Sequence, residues 1–123
     1  MTEAEHRMVM EGMWAVVNEA GTAARIRMAG FDIAGKTGTA QVVGLGRDVG
    51  ELKDHAWFVS FAPAYRPEIS CIALIENSGF GGVHAAPAVR AVYDVYYRKT
   101  RGHEPGDTQL AQNRGRRTGD RGQ

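Results

Sequence analysis

Lys36, Thr37, Gly38 and Thr39 put a cation, two hydroxyls and a side-chain-free position within four residues, and this is where the chain could do chemistry. With Gly30 and Gly35, in GFDIAGKT, they also fit the G-x-x-x-x-G-K-[ST] pattern of a phosphate-binding loop. Such a loop must wrap phosphates and then open a helix at the lysine, because the first N–H groups of that helix hold the anion. Between the two glycines, however, Phe31 and Ile33 alternate with smaller or polar neighbours, as in a strand with one buried face. Past the lysine, Gly38, Thr39, Val42, Val43, Gly44 and Gly46 fill the helix's place with glycines and β-branched residues. The pattern therefore predicts an extended strand from Ile33 to Val43, with Lys36-Thr37-Gly38 near its middle, and no nucleotide site.

A strand of that kind makes sense as the wall of a cleft. An extended ligand can pair with its edge, Gly38 lets the ligand lie close, and Lys36 with the hydroxyls of Thr37 and Thr39 can receive a carboxylate. That is a site for a peptide C-terminus. The same four residues equally describe a glycine-interrupted surface strand carrying a lone exposed lysine.

The elements that must position this strand are legible on both sides of it. Thr2 and Glu5 form a potential capping box, and Val9, Met13, Val16, Val17 and Ala20 recur at helical spacing until Gly21, predicting a helix over residues 3–20. A glycine-bearing connection, 44–54, leads to HAWFVSFA (55–62) and ISCIALIE (69–76), two strands of an antiparallel hairpin joined through PAYRP. In the first of them Trp57, Val59 and Phe61 face one way and Ala56, Phe58 and Ala62 the other, so both faces are expected to be covered, with Trp57 in core packing. Pro87 suits a first helical position, Val89, Val92, Tyr93 and Tyr96 form a stripe, and Arg98 and Lys99 favour the C-terminal end of a closing helix. The expected fold is α+β, an antiparallel sheet sandwiched between helices. Three strands cannot close that sheet, so the unit reads as part of a domain.

Composition bounds the rest. The 123 residues, 43% hydrophobic and 24% charged, suit one soluble globular domain. Residues 1–100 are expected to hold the incomplete domain and 101–123 a disordered Gly/Arg-rich tail, since RGHEPGDTQLAQNRGRRTGDRGQ offers one large aliphatic, Leu110. The tail carries five Arg against three acids, +2, which leaves −1 for the first hundred residues of a chain at +1. So small an excess points to solvated filler, and no nucleic-acid partner is expected. One cysteine, Cys71, excludes an internal disulfide and is expected to be a buried, inert thiol. His6, His55, His84 and His103 lack metal-ligand spacing, so neither a metal nor a cofactor is expected. No stretch approaches a membrane span, and Met1 leads into Thr2-Glu3-Ala4-Glu5 without a signal-peptide pattern.

Over roughly residues 8 to 99 the chain resembles the transpeptidase domain of the class B penicillin-binding proteins, in its C-terminal part and of the elongation type. The residues that carry the resemblance are G-K-T-G-T-A-Q-V (35–42), similar to the family's K-T-G element, and D-H-A-W-F-V-S-F-A-P (54–63), similar to its next strand. Gly12-Met13, Val16-Val17-Asn18 and Gly21-Thr22-Ala23 resemble the preceding helix and turn, and Ile75-Glu76-Asn77-Ser78-Gly79 with Ala86-Pro87 the last strand and closing helix. The resemblance implies a penicillin-binding/serine β-lactamase-like fold and cross-linking of peptidoglycan during cell-wall elongation. A serine attacks the D-Ala-D-Ala bond of a stem peptide, the acyl-enzyme passes to an amine on a neighbouring strand, and β-lactams imitate the donor. It implies that Lys36 sets the positive field of the cleft, that Thr37 and Thr39 hold the substrate carboxylate beside Gly38, and that the Thr39 N–H is an oxyanion-hole donor. A full-length parent is expected at the extracytoplasmic face of the cytoplasmic membrane, working with a membrane glycosyltransferase.

The departure from the family lies in the serines. Ser60, Ser70 and Ser78 are the only ones, and none is followed by Lys three places on or Asn two places on, so S-x-x-K and S-x-N are both missing. The chain alone is expected to be inert, because an oxyanion hole and a carboxylate clamp have no covalent step to accelerate without a nucleophile. The alternatives are a non-catalytic peptide or cell-wall binding module and part of a β-lactamase or β-lactam sensor domain.

Overall fold

A computed structural model describes residues 1–41 and 53–102. Helix α1, Glu3–Asn18, begins at the expected capping box: the Thr2 N–H donates to the Glu5 carboxylate at 2.7 Å and the Glu5 N–H to the Thr2 hydroxyl at 3.2 Å. It stops two residues short of the expected end. The Ala23 N–H bonds back to the Val16 carbonyl at 3.0 Å, and the turn closes so tightly that a Cβ on Gly21 would stand 2.5 Å from Val16. Asn18, buried at the last turn, donates from Nδ2 to the carbonyls of Trp14 and Ile33, 2.9 Å each, and so pins α1 to the residue that leads into the first strand.

Strands β1 (Ala34–Ala40), β2 (His55–Ala62) and β3 (Ile69–Ile75) form one antiparallel sheet in the order β1-β2-β3. β1 holds the centre of the expected 33–43 strand; Val42 and Val43 lie outside the described residues, as do residues 44–52 of the connection and residues 103–123 of the expected tail. Lys36 stands opposite Val59 mid-strand, in backbone no phosphate loop could use. Helix α2, Gly81–Arg101, closes the fold and ends at Gly102, whose φ of 71° is the left-handed cap that glycine tolerates. It runs one residue past the expected domain boundary.

Two details of α2 differ from expectation. The helix begins six residues before Pro87, which is exposed and costs the helix one N–H in its second turn while its ring points to solvent. The buried stripe is Ala85, Val89, Tyr93 and Tyr97, a row of i+4 neighbours with Ala86 beside it, so Val92 falls on the flank and is 45% exposed.

One core lies between one face of the sheet and both helices. Phe31, Ile33, Ala56, Phe58 and Ala62 meet Val17 of α1 and Val89, Tyr93 and Tyr97 of α2. Ser60, also on this face, donates to the Cys71 carbonyl at 3.0 Å and, its one proton thus used, accepts from the Tyr93 hydroxyl at 2.8 Å. Burial pushes Tyr93 up to about 12 and raises Cys71, which is half-buried and held as a neutral thiol. The opposite face is open among the described residues. Trp57 pairs with Leu74 and Val59 with Ile72, and these side chains are 36%, 42%, 42% and 63% exposed in the order Trp57, Val59, Leu74, Ile72. Trp57 is therefore a surface residue here, because its place in the two-residue alternation turns it away from the face that both helices cover.

Candidate functional site

The four K-T-G-T residues lie together on β1, one of the two edge strands among the described residues, and the alternation divides them. Lys36 and Gly38 belong to the open face with Trp57 and Val59; Thr37 and Thr39 turn toward α2. Lys36 is exposed, and its Nζ donates to the Thr37 carbonyl at 2.6 Å. A Cβ on Gly38 would stand 3.3 Å from the Trp57 Cβ, so part of the space beside this glycine is already used by the neighbouring strand.

The N-terminus of α2 is pressed against this stretch of β1. A Cβ on Gly81 would overlap the Trp57 carbonyl oxygen and come within 2.6 Å of the Gly38 oxygen, and one on Gly82 would overlap the Thr22 carbonyl oxygen. Only glycines allow backbone to lie on backbone in this way. No side chain caps the helix start. Thr22, in the turn after α1, completes the contact: its hydroxyl oxygen is 2.9 Å from that of Thr37.

These pieces enclose an open groove of about 530 Å³ lined by Thr22, Lys36 to Thr39 and Phe80 to Val83. Its floor carries hydroxyls, its wall is glycine backbone at the positive end of a 21-residue helix, Lys36 lies at its margin, and Phe80, 73% exposed, gives it an apolar rim. An anion with an extended, partly apolar body fits that chemistry. A larger groove of about 900 Å³, between Gly30 and the 63–68 turn, has only Asp32, Arg66 and Glu68 as charged groups and touches none of the K-T-G-T residues.

Lys36, Thr37, Gly38 and Thr39 all line this one groove. Thr22 and the Phe80-Gly81-Gly82-Val83 wall were not expected there. Paired glycines just ahead of an apolar helical stripe were the available signal, since neither Gly81 nor Gly82 adopts a positive φ and close approach is the remaining reason for them.

Comparison with known proteins gives the same location a context. Residues 1–94 match the penicillin binding protein transpeptidase domain. The chain is 40% identical over 95 residues to the peptidoglycan D,D-transpeptidase MrdA of Haemophilus influenzae, covering 69% of this chain and 15% of that protein. Its fold is similar to Pseudomonas aeruginosa PBP2, solved in complex with WCK 5153, with a TM-score of 0.62, 38% identity, and coverage of 79% of this chain and 20% of that one. It is also similar to penicillin-binding protein A of Mycobacterium tuberculosis, solved as a ceftriaxone acyl-enzyme, with a TM-score of 0.55, 36% identity, and coverage of 69% and 19%. The chain therefore spans about a sixth of the curated relative's length and about a fifth of the solved ones. With three quarters of its residues matched in one block that contains the helix, the K-T-G strand, the hairpin and most of the closing helix, the chain belongs to the penicillin-binding protein transpeptidase domain family.

Proposed function

We propose that this chain is the C-terminal portion of a peptidoglycan D,D-transpeptidase domain and supplies the carboxylate-binding wall of its cleft. The observation that carries this reading is the pairing of Thr37 and Thr39 hydroxyls on an edge strand with the uncapped, glycine-walled N-terminus of α2. The C-terminal carboxylate of a D-Ala-D-Ala stem peptide, or the corresponding acid of a β-lactam, accepts hydrogen bonds from Thr37 and Thr39. Lys36 supplies positive field at the groove's margin. The Thr39 N–H is one of two oxyanion donors, and one such donor is worth about a hundred- to a thousandfold in rate. The serine that attacks the peptide carbonyl, expels D-alanine and then passes the acyl group to an amine lies outside this sequence. None of its own serines can serve: Ser60 is buried in bonds to Tyr93 and Cys71, Ser78 donates to the Ile75 carbonyl, and Ser70 has no lysine three places on.

The parent protein acts at the extracytoplasmic face of the cytoplasmic membrane beside a membrane glycosyltransferase, an assignment that rests on family likeness. Among the described residues no helix is long and apolar enough to cross a membrane. The domain portion runs through the end of α2 at Arg101 and its Gly102 cap.

The purified chain is expected to remain unlabelled by a fluorescent penicillin while binding diacetyl-Lys-D-Ala-D-Ala more tightly than the same peptide with an amidated C-terminus. Covalent labelling overturns the assignment of the nucleophile to another segment. Equal affinity for acid and amide overturns the carboxylate wall. The second reading, a binding module without catalysis, draws on the same missing serine motif and is favoured if the chain binds the acid peptide but does not restore labelling when mixed with the remainder of a transpeptidase domain.

A further inference from the structure

We propose that Thr22 is a positioning residue that sets the direction of the Thr37 hydroxyl proton and thereby the groove's preference for anions. This rests on the carboxylate reading of the K-T-G strand and extends it to a residue in the turn after α1. Three observations meet at Thr22. Its hydroxyl oxygen is 2.9 Å from that of Thr37, its carbonyl is packed against Gly82 at the start of α2, and it is exposed at the lining of the groove. The contact with Gly82 fixes the backbone that carries Thr22, so the hydroxyl is held beside β1 by the helix itself.

Two hydroxyls in contact have two arrangements, because each owns one proton and two lone pairs. If Thr37 donates to Thr22, the lone pairs of Thr37 face the groove and repel an anion. If Thr22 donates to Thr37, the Thr37 proton is free to point at the ligand, and the chain Thr22 to Thr37 to carboxylate strengthens along its length. An anion therefore selects the second arrangement, and Thr22 acts on the ligand through Thr37 without touching it. A neutral amide, which can donate as well as accept, has no such requirement. Thr22 accordingly contributes to discrimination between acid and amide rather than to affinity in general.

The test measures binding of diacetyl-Lys-D-Ala-D-Ala and of its C-terminal amide to the full 123-residue chain and to its Thr22→Val and Thr22→Ser variants, with unfolding midpoints recorded in parallel. Thr22→Val keeps the shape and removes the donor; Thr22→Ser keeps the donor. The proposal expects Thr22→Val to lose affinity for the acid by about two- to tenfold, the range of one net hydrogen bond, with the amide unchanged. It expects Thr22→Ser to restore the acid preference. Equal losses for acid and amide mean that Thr22 only supports the fold and overturn the proposal, as does an unchanged preference in Thr22→Val. If the unaltered chain already treats acid and amide alike, the carboxylate reading fails first and this proposal falls with it.

Discussion

Thr22, Thr37 and Gly82 meet in one contact that joins backbone packing to a hydrogen bond. Gly82 is needed because Thr22 lies where its side chain would go, and the same approach brings the two threonine hydroxyls within hydrogen-bond distance. Replacing Gly82 by Ala forces backbone to move on one side or the other, at about 1–3 kcal/mol. Gly12 makes the contrast. It lies in the exposed middle of α1 with nothing within 4 Å of an added Cβ, so Gly12→Ala is expected to stabilise by about 0.5–1 kcal/mol through helix propensity. Thermal unfolding of both variants checks the pair: Gly82→Ala should lower the midpoint and weaken acid-peptide binding, and Gly12→Ala should raise it and leave binding alone. The lysine, threonines and glycine of K-T-G-T were legible from sequence as residue types at fixed spacing; Thr22 was not, since it reaches Thr37 only through the turn that Gly21 closes.

At the scale of elements, the end of α2 opposite the groove is fastened to the hairpin turn. The Arg101 guanidinium bonds Glu68 at 3.1 Å and lies over the rings of Phe31 at 4.8 Å and Tyr97 at 5.1 Å, while the Tyr96 hydroxyl donates to the same carboxylate at 3.1 Å. The Arg101 bond first, then that of Tyr96, lowers Glu68 from its ordinary 4.5. A carboxyl with a depressed folded value stabilises above its unfolded value and loses that contribution as pH falls through the folded one. The unfolding midpoint of Glu68→Gln should lie below that of the unaltered chain at pH 7, modestly because the carboxylate is solvent-exposed, and the two should converge as pH drops below 4.5. A gap that persists unchanged to pH 2 would mean that packing, not charge, is what Glu68 contributes. Helix α1, the hairpin and the existence of α2 were readable from periodicity. The start of α2 was not, because Pro87 has the chemistry of a first helical residue and only the fit of Gly81-Gly82 on β1 starts the helix earlier.

For the whole molecule, the unfinished sheet is the governing fact. Among the described residues both helices cover one face, Trp57, Val59, Leu74 and Ile72 stand exposed on the other, and β1 and β3 are both at edges. An apolar face beside an unpaired edge promotes association between copies. Ile72→Lys, at the most exposed of these positions, is expected to reduce self-association of the isolated chain at unchanged unfolding midpoint, because 63% of that side chain is already in water. Sedimentation velocity across a concentration series measures it, and a fall in the midpoint would mean that Ile72 contributes to the core after all.

By itself the sequence determined the two long helices, the antiparallel hairpin, the strand with Lys36 at its middle and the family to which these belong. Those follow from local spacing, since apolar periodicity, capping residues and a short motif are all written in neighbouring positions. The tertiary structure decided which side of the sheet is covered, where α2 begins and which residues from outside the motif join the groove. Each of these depends on contacts between positions far apart in the chain: Thr22 with Gly82, Gly81 with Trp57, Glu68 with Arg101. Alternation along a strand says that Trp57 and Phe58 face opposite ways, but only the placement of both helices on Phe58's side says which of the two is buried.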